Sequence, residues 1–72
     1  MKNITIYTDY VTLGQFLKIA DIISSGGEAK IFLAENEVII NGEVDNRRGR
    51  KLRDGDKVSV RGQDYLVVND NK

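Results

Sequence analysis

Ser24-Ser25-Gly26-Gly27-Glu28 is the stretch on which the fold turns, because it interrupts apolar residues that recur at helical spacing on both sides of it. Glycine relaxes a turn, and Ser25 with Glu28 three residues later fits a capping box, so one helix is expected to stop here and another to start. Upstream, Thr12-Leu13-Gly14-Gln15 carries a similar cap signature. Leu13, Phe16, Leu17, Ala20 and Ile23 then follow as one apolar stripe, opposite Gln15, Lys18 and Asp21. Downstream, a second helix is expected over about residues 26–36, with Ala29, Phe32 and Leu33 inward and Lys30 and Glu35 outward. Two short helices should therefore meet at a tight corner.

Outside the helices the period changes to alternation. Asn3 to Tyr7 puts Ile4 and Ile6 on one face and Thr5 and Tyr7 on the other, as in a short edge strand that completes a sheet built later in the chain. Val38-Ile39-Ile40 is an apolar strand ending in Asn41-Gly42, the pair best suited to the positive φ angles of a two-residue hairpin turn, and Glu43-Val44 begins the return. Asp54-Gly55 and Gly62 mark reversals around the strand Lys57-Val58-Ser59-Val60. Tyr65-Leu66-Val67-Val68 is the expected closing strand, and Asn69 to Lys72 a polar, frayed tail. The prediction is an α+β fold, two short helices packed on a small, mainly antiparallel sheet of four to five strands. With 72 residues, the span 1–72 should form one domain, since a core this thin cannot be divided.

Composition removes several kinds of chemistry. Without cysteine or histidine, the chain has no thiolate for a metal or a disulfide, and it lacks the commonest metal ligand and proton shuttle. Asp54 and Asp56 flank Gly55 as turn formers, and the remaining ligands of a calcium loop are missing. No P-loop or dinucleotide fingerprint is present, and Glu28, Glu35, Glu37 and Glu43 have no partner nucleophile. No catalytic residue, metal site or cofactor is expected, and the protein is read as a non-enzyme. No apolar run approaches the ~20 residues that span a bilayer, and the N-terminus lacks a basic segment followed by an apolar core. A cytoplasmic monomer with no membrane partner is expected.

Charge is segregated rather than absent. Eleven Lys and Arg balance eleven Asp and Glu, yet Asn46-Arg47-Arg48-Gly49-Arg50-Lys51-Leu52-Arg53 gathers five of the cations without an acid. Such a cluster attracts polyanions whatever the average charge. Arginine suits the task because its planar fork bonds two phosphate oxygens and stacks on bases, while Lys51 acts as a mobile point charge and Gly49 lets the loop bend. Charge runs are also ordinary solvated surface, and Asp45, Asp54 and Asp56 stand close enough to neutralise part of this one. Lys18 and Lys30 are open to the same two readings. The N–H groups beginning the second helix could receive a phosphate beside Gly26 and Gly27, although a bare turn explains the same glycines. Phe16 and Phe32 lie on core-facing stripes, which argues against a base-stacking platform.

The order of these elements, two helices joined by a Ser-Gly corner, then Val38-Ile39-Ile40-Asn41-Gly42, a basic connection and Leu52-Arg53-Asp54-Gly55-Asp56-Lys57-Val58, resembles the RNA-binding domain named after small-subunit ribosomal protein S-four. The resemblance covers about residues 12–60. Thr12 to Lys18, Gly26 to Lys30 and Asn46 to Leu52 are more closely similar to the stand-alone bacterial version, the YaaA family. It implies an alpha-L motif that offers one face to structured RNA, with Thr12, Ser25, Gly26, Gly27 and Lys30 on its surface positions. Thr12 and Gly26 stand where many members carry Arg, and Ala34-Glu35 occupy a place that is often basic. The resemblance thus shifts the electrostatic anchor to Arg47, Arg48, Arg50, Lys51 and Arg53.

The function expected is recognition of structured RNA, ribosomal RNA among the candidates, through the basic loop and the two-helix face, by shape more than by sequence. The alternative is a DNA-associated or protein-binding adaptor using the same loop, because cations alone do not choose between polyanions.

Overall fold

Thr12 decides where the first helix begins. Its backbone is extended, its hydroxyl accepts the N–H of Gln15, and the Gln15 side chain accepts the N–H of Thr12, so both halves of the capping box are present. The computed structural model, which describes residues 1–70, gives α1 as Leu13–Ile19. The apolar stripe had extended this helix to the Ser-Gly corner, but it ends earlier. Asp21 adopts φ 63°, donating its N–H to the Lys18 carbonyl (3.0 Å) while the Ile22 N–H reaches the Leu17 carbonyl (2.9 Å). This is a Schellman stop with aspartate in the place usually held by glycine, so the sequence carries no glycine to announce it. Ile23 still reaches the core, from the connection rather than the helix.

The expected Ser25 cap also differs. Ser25 makes no side-chain cap bond, and the Glu28 carboxylate instead accepts the N–H of Ser24 at 3.2 Å. Gly26–Glu28 forms a single 3-10 turn, and α2 follows as Ala29–Glu35, closed by Asn36, whose side-chain amide donates to the Phe32 carbonyl. The corner is a longer bend than a direct helix-to-helix joint.

The main sheet contains β1 (Lys2–Ile6), β3 (Val38–Ile40), β4 (Glu43–Val44), β6 (Lys57–Val60) and β7 (Gln63–Asn69), in the order β1-β7-β6-β3-β4. Only the β1–β7 pairing is parallel; the other three are antiparallel. Asn41 and Gly42 (φ 52° and 87°) make the anticipated hairpin turn, and Arg61 and Gly62 (φ 55° and 75°) make a second. β7 outlasts the expected strand: Asn69 belongs to the ladder, and the Asp70 N–H donates to the Ile6 carbonyl at 3.0 Å. Residues 71–72 of the anticipated tail lie outside the described residues.

Alternation sends Ile4, Ile6, Val38, Ile40, Val58, Val60, Tyr65 and Val67 to one face of the sheet, where they bury against Leu13, Phe16 and Leu17 of α1 and Ala29, Phe32 and Leu33 of α2. Phe16 meets the Tyr65 ring edge-on, with centroids 5.5 Å apart. A second, two-stranded ladder joins β2 (Val11–Thr12) to β5 (Lys51–Leu52), antiparallel, with Val11 opposite Leu52 and Thr12 opposite Lys51. Part of the segment read as a loop from Arg47 to Arg53 is therefore a strand, and it brings the cations to the start of α1. No helix is long and apolar enough to cross a membrane among the described residues.

Candidate nucleic-acid interface

The first N–H groups of a helix have no partner within it. In α1 two of them are taken by the basic segment: the Leu13 N–H donates to the Arg50 carbonyl (2.7 Å) and the Gly14 N–H to the Arg48 carbonyl (3.0 Å). These bonds use main chain alone, so they engage neither arginine's guanidinium. Gly14 lets the segments approach closely. A Cβ built there would lie 2.9 Å from Cγ of Arg48 and 3.5 Å from Cβ of Ala29, so the Arg48 stem passes over α1 where α2 also packs.

The cations divide into three groups. Asp45 gathers the first: Nε and Nη2 of Arg47 approach its two carboxylate oxygens at 3.1 and 2.8 Å, and Nη1 of Arg50 approaches at 2.9 Å. Arg47's side chain donates, then its backbone N–H, and together with Arg50 they outweigh the upward push of burial and hold the Asp45 carboxyl well below the usual carboxylate range. Asp45 raises the Arg47 pKa in return. This pairing neutralises part of the run and fixes its bend, as its flanking acids had suggested.

Arg48 and Lys30 form the second group. They line one groove of about 330 Å³ with Leu33, Ala34 and Asn46, between the basic segment and α2. Neither has an ion-pair partner among the described residues. In the third group Lys51 Nζ and Arg53 Cζ stand 4.9 and 5.3 Å from the Tyr10 ring centroid. Lys18 is apart from Arg48 and Lys30, on the groove that Tyr10 also lines.

The remaining anticipated residues have more local positions. Thr12 gives both its hydroxyl and its backbone N–H to the α1 capping box and stands opposite Lys51 in the β2–β5 ladder. Ser25, Gly26 and Gly27 are exposed at the corner and line none of the grooves described here. Neither glycine has a positive φ or a neighbour crowding its absent side chain, so the fold itself does not demand glycine at these two positions.

Asp54 and Asp56 serve the turns, as their spacing indicated. Asp56 accepts the Arg53 N–H and the Asn41 side-chain amide, and Asp54 accepts the Asn69 N–H. Sequence reasoning missed Tyr10, because the cations that meet it arrive from β5 and just beyond. Aromatic residues near a strand end were the available signal, and attention to the two phenylalanines passed over it.

A family model described as S4 domain matches residues 4–68. A Bacillus subtilis (strain 168) protein named "Probable ribosome maturation protein RlbA" is 60% identical over 67 residues, covering 92% of this chain and 94% of that protein. An Escherichia coli (strain K12) protein named "Putative RNA-binding protein YbcJ" is 37% identical over 59 residues, 82% of this chain and 84% of its own length.

Proposed function

From the premise that this chain belongs to the S4 domain family, we propose that it is a non-catalytic RNA-binding protein that recognises structured RNA of the ribosome or its assembly. The observation that carries the proposal is the double backbone attachment of the basic segment to the α1 start, Leu13 to Arg50 and Gly14 to Arg48, which holds the Arg48 stem at the junction of the two helices. Arg48 and Lys30 line one groove and have no ion-pair partner among the described residues, a disposition suited to a phosphate backbone. Arg47, Arg50, Lys51 and Arg53 extend the positive field along the same segment. Exposed Ser25, Gly26 and Gly27 leave a corner of small residues open to an RNA backbone, while Thr12 caps α1 and Lys18 stands in its last turn. The two relatives whose names refer to RNA and to ribosome maturation support the same class of partner.

Fluorescence polarisation with ribosomal RNA fragments tests this. Binding should weaken with salt at a log-log slope of roughly −0.7 to −0.9 per phosphate neutralised. The double change Arg48→Ala and Lys30→Ala should flatten that slope by about two such contacts while the fold is retained, since the bonds to α1 come from carbonyls. Structured RNA should outcompete duplex DNA. Absence of binding at low salt, or an unchanged slope in the double variant, would overturn the proposal.

A further inference from the structure

Beside the RNA contacts proposed above lies an open groove of about 970 Å³ between the end of β1 and α1. Tyr7, Tyr10 and Ile19 line it and are 67%, 38% and 50% exposed, an apolar cluster kept in water by a chain with few aromatic residues. Lys18 also lines it, while Lys51 Nζ and Arg53 Cζ lie over the Tyr10 ring, 4.9 and 5.3 Å from its centroid, so two cations already occupy the ring beside the groove. Asp9 in the lining adds an acceptor that could take a base N–H.

The platform is held before any ligand arrives. The Thr8 hydroxyl donates to the Tyr10 carbonyl at 2.7 Å, the Asn69 side-chain amide donates to the Thr8 carbonyl at 3.1 Å, and Val11 is locked opposite Leu52. A backbone fixed on both sides of Tyr10 lowers the ordering cost of binding. Any occupant must satisfy both an apolar floor and a cationic margin. An unpaired nucleotide does, because every base has a π-face to stack and a phosphate to meet the cations. An apolar peptide would leave Lys18, Lys51 and Arg53 without a counter-charge.

We propose that this groove is a subsite for a single-stranded nucleotide, taking a base from a bulge or loop of the bound RNA onto Tyr10 as its phosphates draw Lys51 and Arg53 off the ring. The inference rests on the RNA-binding reading and adds to it the state of the RNA that is recognised. It departs from the expectation, argued from the core-facing Phe16 and Phe32, that speaks against a base-stacking platform.

The chain has no tryptophan, so its emission comes from tyrosine, and Tyr65 is only 8% exposed. Titration of the intact protein with a short oligouridylate and, separately, with a blunt RNA duplex distinguishes the possibilities. The oligouridylate should quench tyrosine emission; Tyr10→Leu should weaken its binding about 10-fold, Tyr10→Phe should retain it, and duplex affinity should fall far less than oligouridylate affinity. Duplex binding with no quenching by oligouridylate, and equal oligouridylate affinity for wild type and Tyr10→Leu, would overturn the subsite while leaving the RNA-binding reading intact. Failure of both RNAs to bind at low salt would overturn both.

Discussion

Asp45 couples the charge of the basic segment to its shape. Its carboxylate receives the Arg47 guanidinium, the Arg47 N–H and Arg50 at once, so its protonation would release all three. Because its pKa is lowered in the folded state, this contribution to stability is complete above the unfolded value of about 4 and is lost as pH falls below that toward the folded-state value. Asp45→Asn should therefore be less resistant to urea than wild type at neutral pH, and the gap should close in strong acid. An NMR titration should find the Asp45 carboxyl carbon still ionised near pH ~4, where ordinary aspartates are half protonated. The presence of a partner was legible in the sequence, since Asp45 adjoins the run. Which arginines it takes was not, because that depends on the bend that carries Arg50 back toward it.

Among the elements, α1 separates what sequence pattern can tell from what it cannot. Its start was legible because Thr12 and Gln15 cap each other through local bonds that need no tertiary partner. Its end was hidden, because the left-handed residue is Asp21 and the apolar stripe continues past it to Ile23. Left-handed backbone costs an L-residue roughly 1–2 kcal/mol, and glycine escapes that penalty. Asp21→Gly should accordingly raise stability by about 1 kcal/mol, read as a higher urea midpoint with an unchanged m-value. A lower midpoint would mean that the aspartate side chain earns its place by another contact. The hairpin at Asn41-Gly42 was equally legible, its turn type being written in two adjacent residues. The β2–β5 ladder was not: two-residue strands have no period, and their pairing is set by distant chain.

For the molecule as a whole, a single apolar layer between sheet and helices carries the fold, and Phe16 lies fully buried within it against Tyr65. Phe16→Ala should cost about 3–5 kcal/mol, a large share of what so short a chain can muster, and should show as loss of cooperative thermal unfolding near ambient temperature. The helices, strands and most core positions followed from periodicity, while the packing of both helices on one sheet was what the family resemblance implied. The grouping of cations into a carboxylate clamp, a groove by α2 and an aromatic margin did not, because it arises from chain crossings with no local sequence signature.

The parallel union of β1 with β7 also orders events in time. In the described sheet Lys2–Ile6 has no ladder neighbour other than β7, so during translation its backbone waits unpaired until residues 63–69 emerge. The nascent polypeptide can finish folding only in one late closing step, and a premature stop or a proteolytic nick ahead of Gln63 would orphan the first strand along with the last.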